Sequence, residues 1–110
     1  MTIVSTIISG RSSDGVHITE FADGLAVGPF VVHRNNYQHA DTHAWCVTHR
    51  PTGRRCCAAR TRNDAIKAAR QLRKLPMDWS SEDHEFVHKA SHEVLAEARR
   101  ISANAWSGTL

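Results

Sequence analysis

Apolar positions fall into two regimes along the chain. Before Thr61 they come in short β-branched or alternating runs; after it they recur at three- and four-residue spacing. The run Ile3-Val4-Ser5-Thr6-Ile7-Ile8 predicts a strand, closed by the turn-rich stretch Ser9 to Gly15. Val16 to Phe21 predicts a second strand. Asp23-Gly24 then reads as a hairpin turn, because both central positions of the favoured turn need positive φ. Leu25 to Val27 would return, and after Gly28-Pro29 a further strand covers Phe30 to His33. The polar segment Arg34 to Thr42 separates this part from an alternating run, Ala44 to His49. Arg54 to Arg60 can pair back on that run across Pro51-Thr52-Gly53. With Thr52-Gly53 as a two-residue turn, Val47 faces Ala58, His49 faces Cys56 and Trp45 faces Arg60. That register directs Trp45, Val47 and Ala58 to the core and makes Arg50 and Arg55 neighbours on the other face.

The second regime is helical. Thr61-Arg62-Asn63-Asp64 has the form of a capping box, with Thr61 as N-cap and Asp64 at the third helical position. Ala65, Ala68, Ala69, Leu72 and Leu75 make a buried stripe, and Pro76 stops the helix. Ser80 with Asp83 makes a second capping box, predicting a helix to about Asn104. At ~1.5 Å per residue that helix is roughly 35 Å long. Its stripe is Val87, Ala90, Val94, Ala98, Ile101 and Ala105. The reading is one α+β domain over residues 1–106: an antiparallel sheet of five or six strands, two helices packed on it, and a long C-terminal helix. Ser107 to Leu110 reads as a loose tail.

Charge sharpens this picture. The net charge is only +3. Nine of the fourteen basic residues, however, lie between positions 50 and 74: Arg50, Arg54, Arg55, Arg60, Arg62, Lys67, Arg70, Arg73 and Lys74. Asp64 is the only acid among them. Lys67, Arg70 and Lys74 fall opposite the first helix's apolar stripe. Phosphates attract Lys and Arg regardless of sequence, and a two-stranded ribbon fits a major groove. The nine cations are therefore the candidate binding surface, for DNA, RNA or an acidic protein patch. The alternative is that they solvate a sheet face and a helix face.

The chemical motifs point away from catalysis. His84-Glu85-Phe86-Val87-His88 satisfies H-E-x-x-H, which on a helix sets two imidazoles and a glutamate around zinc. Here Glu82 and Lys89 charge its flanks, and its histidine face turns away from the apolar stripe. His92 lies two turns from His84 on the same helix, too far to complete a tetrahedral site. No metal and no cofactor are expected, His84 and His88 being the weak candidates. Cys46, Cys56 and Cys57 are an odd set in predicted strands, so they read as small apolar residues in a reducing compartment. Arg50 to Arg55 is a turn and not a phosphate cradle, and no carboxylate pair is placed for acid–base work. The expectation is a cytoplasmic protein that is not an enzyme and has no membrane span.

Two resemblances follow from these residues. The order Trp45-x-Val47, Gly53-Arg54-Arg55, then Thr61-x-x-Asp64-Ala65 resembles the sheet-then-helix layout of the arm-type DNA-binding domains of phage integrases. That implies a small protein contacting duplex phosphates. The short α+β chain, its Arg/Ala/Asp-rich composition and the hairpin Val47 to Gly53 also resemble small bacteriophage accessory proteins, including anti-CRISPR inhibitors. What this implies is a non-catalytic protein that binds and inhibits a host defence nucleoprotein complex by occupying a surface. A homodimer through the exposed side of the C-terminal helix is a further partner the pattern allows.

Overall fold

A computed structural model describes residues 2–11, 17–34, 44–83 and 86–110, with backbone alone at 9–11, 17–21 and 88. Five strands are followed by two α-helices: β1 (Ile3–Arg11), β2 (His17–Val27), β3 (Phe30–Arg34), β4 (Trp45–His49), β5 (Arg55–Ala59), α1 (Arg62–Arg73) and α2 (His92–Ser107). The strands form one antiparallel sheet in the order β1-β2-β3-β4-β5. The α+β reading is thus the observed architecture.

One sheet face carries Val27, Phe30, Val32, Val47, Cys57 and Ala59, and α1 lays Ala65, Ile66, Ala68, Ala69 and Leu72 on it. Removing those apolar side chains from water is the main stabilising contribution on this side. Helix α2 packs beside α1 against β5, contributing Ile101 and Ala105. The opposite face is buried as well, at Val31, His33, Cys46 and Thr48. The long β1–β2 hairpin supplies that cover, with Thr6, Ile8 and Ala22 buried and β1 curled back towards β5.

Gly24 corrects the expected Asp23-Gly24 turn. Both residues lie inside β2, paired with Ser5 and Val4. A Cβ on Gly24 would sit 2.4 Å from the Val32 carbonyl oxygen and 2.6 Å from Val31 Cγ1. The glycine serves close approach of β2 to β3, not a positive φ. Positive φ is needed instead at Gly28 (φ 56°), between Val27 and Phe30, and at Gly53 (φ 72°) in the β4–β5 turn.

The β4–β5 register also differs from the sequence expectation by one residue. Trp45 pairs with Ala59 and Val47 with Cys57, while Thr48 pairs with Arg55, leaving Cys56 as a bulge. Two causes combine. The turn spans Arg50 to Gly53, closed by His49 N–H to the Arg54 carbonyl and Gly53 N–H to the His49 carbonyl, both 2.8 Å. The bulge then adds one residue to β5 and turns Ala59, not Ala58, to the core.

Helix α1 starts as expected. Thr61 Oγ1 accepts from the Asp64 N–H at 3.1 Å and donates to the Asp64 carboxylate at 3.0 Å. Helix α2 starts eleven residues later than the Ser80 capping box predicts. Ser91 is its N-cap, accepting from the Val94 N–H at 3.3 Å. Ser80 instead donates to Asp78, and Phe86–Lys89 forms a single 3-10 turn. The helix is therefore 16 residues, about 24 Å rather than 35 Å. It ends at Gly108, whose left-handed conformation (φ 76°) suits glycine. Of the last four residues, read as a tail, Thr109 donates its N–H to the Asn104 carbonyl and Leu110 packs on the core.

Candidate nucleic-acid interface

All nine cations of the expected surface are exposed. Lys67, Arg70 and Lys74 project from α1 on the side opposite Ala65, Ala68, Ala69 and Leu72. Arg50 and Arg73 line one groove with Gly28, Pro29 and Trp79. The Arg50 N–H donates to the Pro29 carbonyl at 2.9 Å, which brings the β4–β5 turn beside the β2–β3 turn. Arg73 lies across Gly28, where a Cβ would meet its Cδ at 2.7 Å. Arg54 and Arg55 flank a cleft with Arg99 of α2. Arg60 and Arg62 stand at the other end, where β5 runs into α1. Arg62, Lys67, Arg70, Arg73 and Lys74 thus follow α1, about 18 Å of helix, the axial rise of about five nucleotides of one strand, whereas Arg55, paired with Thr48 and meeting Cys46, stands towards the opposite sheet face. The ion pairs Lys89–Asp83 and Arg100–Glu97 engage cations outside this set, and Arg54 has an interaction of its own.

A buried polar network holds the hairpin turn against the C-terminal end of α1. His49 is on the helix-facing side of β4, packed among Phe30, Trp79 and Phe86. Its Nε2 donates to the Trp79 carbonyl at 2.6 Å, and its Nδ1 accepts from the Thr52 hydroxyl at 2.8 Å. Thr52 Oγ1 in turn accepts from the Arg54 N–H at 3.3 Å. A neutral ring satisfies both contacts, and burial lowers the His49 pKa. On the other sheet face His33 Nδ1 donates to the Arg34 carbonyl at 2.8 Å, while Nε2 accepts from Thr48 at 2.6 Å. Burial lowers its pKa too. These histidines are structural, and their two neutral tautomers are opposite.

The cysteines are equally inert. Burial pushes Cys56 and Cys57 up to about 12 and raises Cys46, whose sulfur also meets the Arg55 guanidinium. A thiol that stays protonated at neutral pH is a poor nucleophile. Within the H-E-x-x-H motif, His84, Glu85 and the His88 side chain lie outside the described residues. Phe86 is buried against His49 and Trp79 in the 3-10 turn, and His92 is exposed at the start of α2. Among the described residues no three His, Cys, Asp or Glu side chains converge. None of the described helices is long and apolar enough to cross a membrane.

Sequence reasoning passed over Arg34 and Trp106. Arg34 lies over the Trp45 ring at 5.3 Å, and Arg60 over the Trp106 ring at 5.0 Å. The Arg34–Trp45 pair carries no local signal, because the two residues meet only through the β3–β4 register. Trp106, placed one position beyond buried Ala105, was detectable as an indole off the apolar stripe of α2.

No protein-family model matches the chain, and neither does a curated protein or a solved structure.

Proposed function

We propose that this is a binding protein that seats the band along α1 and the β4–β5 turn on nucleic-acid phosphate. The observation that supports it most is the placement of Lys67, Arg70 and Lys74 on the outer side of α1, with all nine cations exposed. A band of fixed positive charge suits a polyanion, since each phosphate neutralised releases counterions. The raised thiols, two of them buried and Cys56 half-buried, and the hydrogen-bonded histidines argue against a catalytic role for those groups. Occupying guide or target strands within a host defence nucleoprotein complex is the biological form that the phage-protein resemblance suggests.

The test is binding to duplex and single strands across about 50–200 mM salt, read as a log–log slope. Replacing Arg54, Arg55, Arg70 and Lys74 together with alanine should lower the magnitude of the slope by about 4 and abolish binding at the upper salt. An unchanged slope in a folded variant overturns the reading. Affinity capture with and without nuclease then separates the two biological forms. Loss of a captured nuclease or nucleoprotein subunit on digestion supports strand occupation, and its retention favours docking on an acidic protein patch.

A further inference from the structure

We infer that the end of the molecule where β5 enters α1 is a stacking site for unpaired bases. The nucleic acid held there is single-stranded rather than duplex. The inference rests on the phosphate-binding reading and adds which form of nucleic acid the band receives.

Four side chains make the site. Arg34, Trp45 and Ala59 are register partners across β3, β4 and β5, so Arg34 and Trp45 stand side by side on the helix-facing side. Arg60 follows Ala59 directly and crosses to Trp106 of α2. The two guanidinium–indole contacts, at 5.3 Å and 5.0 Å, therefore lie at the same end of the sheet, the second along β5 beside Ala58. Trp106 is 39% exposed, although the neighbouring Ala105 is fully buried. If the indole served only to lock α2 to α1, its area would be better used buried, as a fully covered aromatic contributes most. An exposed indole beside exposed arginines is instead the combination that holds single strands: the ring stacks on a base and the cations meet the backbone. Duplex bases are already stacked on one another and offer no free face to Trp106. The end is also positive, because Arg34, Arg60 and Arg62 stand there with Asp64, whose carboxylate is engaged by the N-cap hydroxyl. From here the α1 cations continue the track for the backbone.

Oligo(dT) and oligo(U) of about a dozen nucleotides and a duplex of equal length are the probes. Fluorescence anisotropy should show tighter binding of the single strands, with indole quenching on titration. Trp106→Ala should weaken single-strand binding roughly tenfold and leave duplex binding within about twofold, and Trp106→Phe should retain most of it. Should the alanine variant melt early, Arg34→Ala and the loss of quenching in Trp106→Phe carry the same comparison. Preference for one oligomer assigns the source, RNA or DNA. Equal binding of single strands and duplex, insensitive to Trp106, overturns this inference while leaving the phosphate reading intact. Failure of every probe to bind overturns both.

Discussion

The imidazole of His49 reaches across to the backbone of Trp79, 30 positions further along the chain, at 2.6 Å. That bond, with the Thr52 hydroxyl on the other nitrogen, fixes a neutral ring inside an aromatic cluster. His33 is likewise neutral and buried. Burial keeps both pKa values below the 6.5 of a free histidine. The unfolded chain therefore binds more protons than the folded one as pH falls through that value. Stability is full above about 6.5 and declines below it. Urea midpoints at about pH 7.5 and pH 5 should show the drop. His49→Gln should cost about 2 kcal/mol at the higher pH, yet give a shallower pH dependence. A steeper dependence in the variant would contradict this assignment.

Gly24 makes its own prediction. Gly24→Ala places a methyl within 2.6 Å of both the Val32 carbonyl oxygen and Val31 Cγ1, so β2 must lift off β3. A loss of about 3 kcal/mol is expected, read from the thermal or urea midpoint. If Asp23-Gly24 were a surface turn, the same change would cost far less.

Two serines discriminate the helix boundaries. Ser91→Ala removes the hydroxyl that accepts from Val94 and should cost about 1 kcal/mol. Ser80→Ala should be within about 0.5 kcal/mol of neutral, because its hydroxyl binds only the exposed Asp78 carboxylate. Equal costs would contradict the observed start of α2.

The thiols should be silent in the folded state. With Cys56 and Cys57 pushed to about 12 and Cys46 also raised and buried, all three should resist alkylation at about pH 8. Each should react fully in denaturant. A rapidly modified cysteine in the native protein would refute this burial.

Local chemistry explains which parts of the fold were readable from sequence. The Thr61–Asp64 cap and the Ala65-Ala68-Ala69-Leu72 stripe are set within one turn or two of helix, and both are found as expected. The readings that failed depend on partners distant in sequence. Nothing near Gly24 says that β3 will lie against it, and nothing near Cys56 marks it as a bulge. The Ser80 cap read from sequence fails because Phe86 and Trp79 pack around His49, and Ser91 heads the helix instead. The nine cations were visible individually. Their division between α1 and the sheet needed the turn contacts of Arg50 and Arg73 and the β4–β5 register.

The meander order of the sheet has a consequence for how the chain reaches its native form. Each strand zips onto its immediate predecessor, so no step must close a long loop, and the widest gap is that between Arg34 and Trp45. Assembly can proceed hairpin by hairpin as the polypeptide leaves the ribosome. Until residues 62–73 have emerged, Val32 and Val47 stay wet, which makes α1 the first helix to shield the nascent sheet from aggregation, with α2 completing the cover.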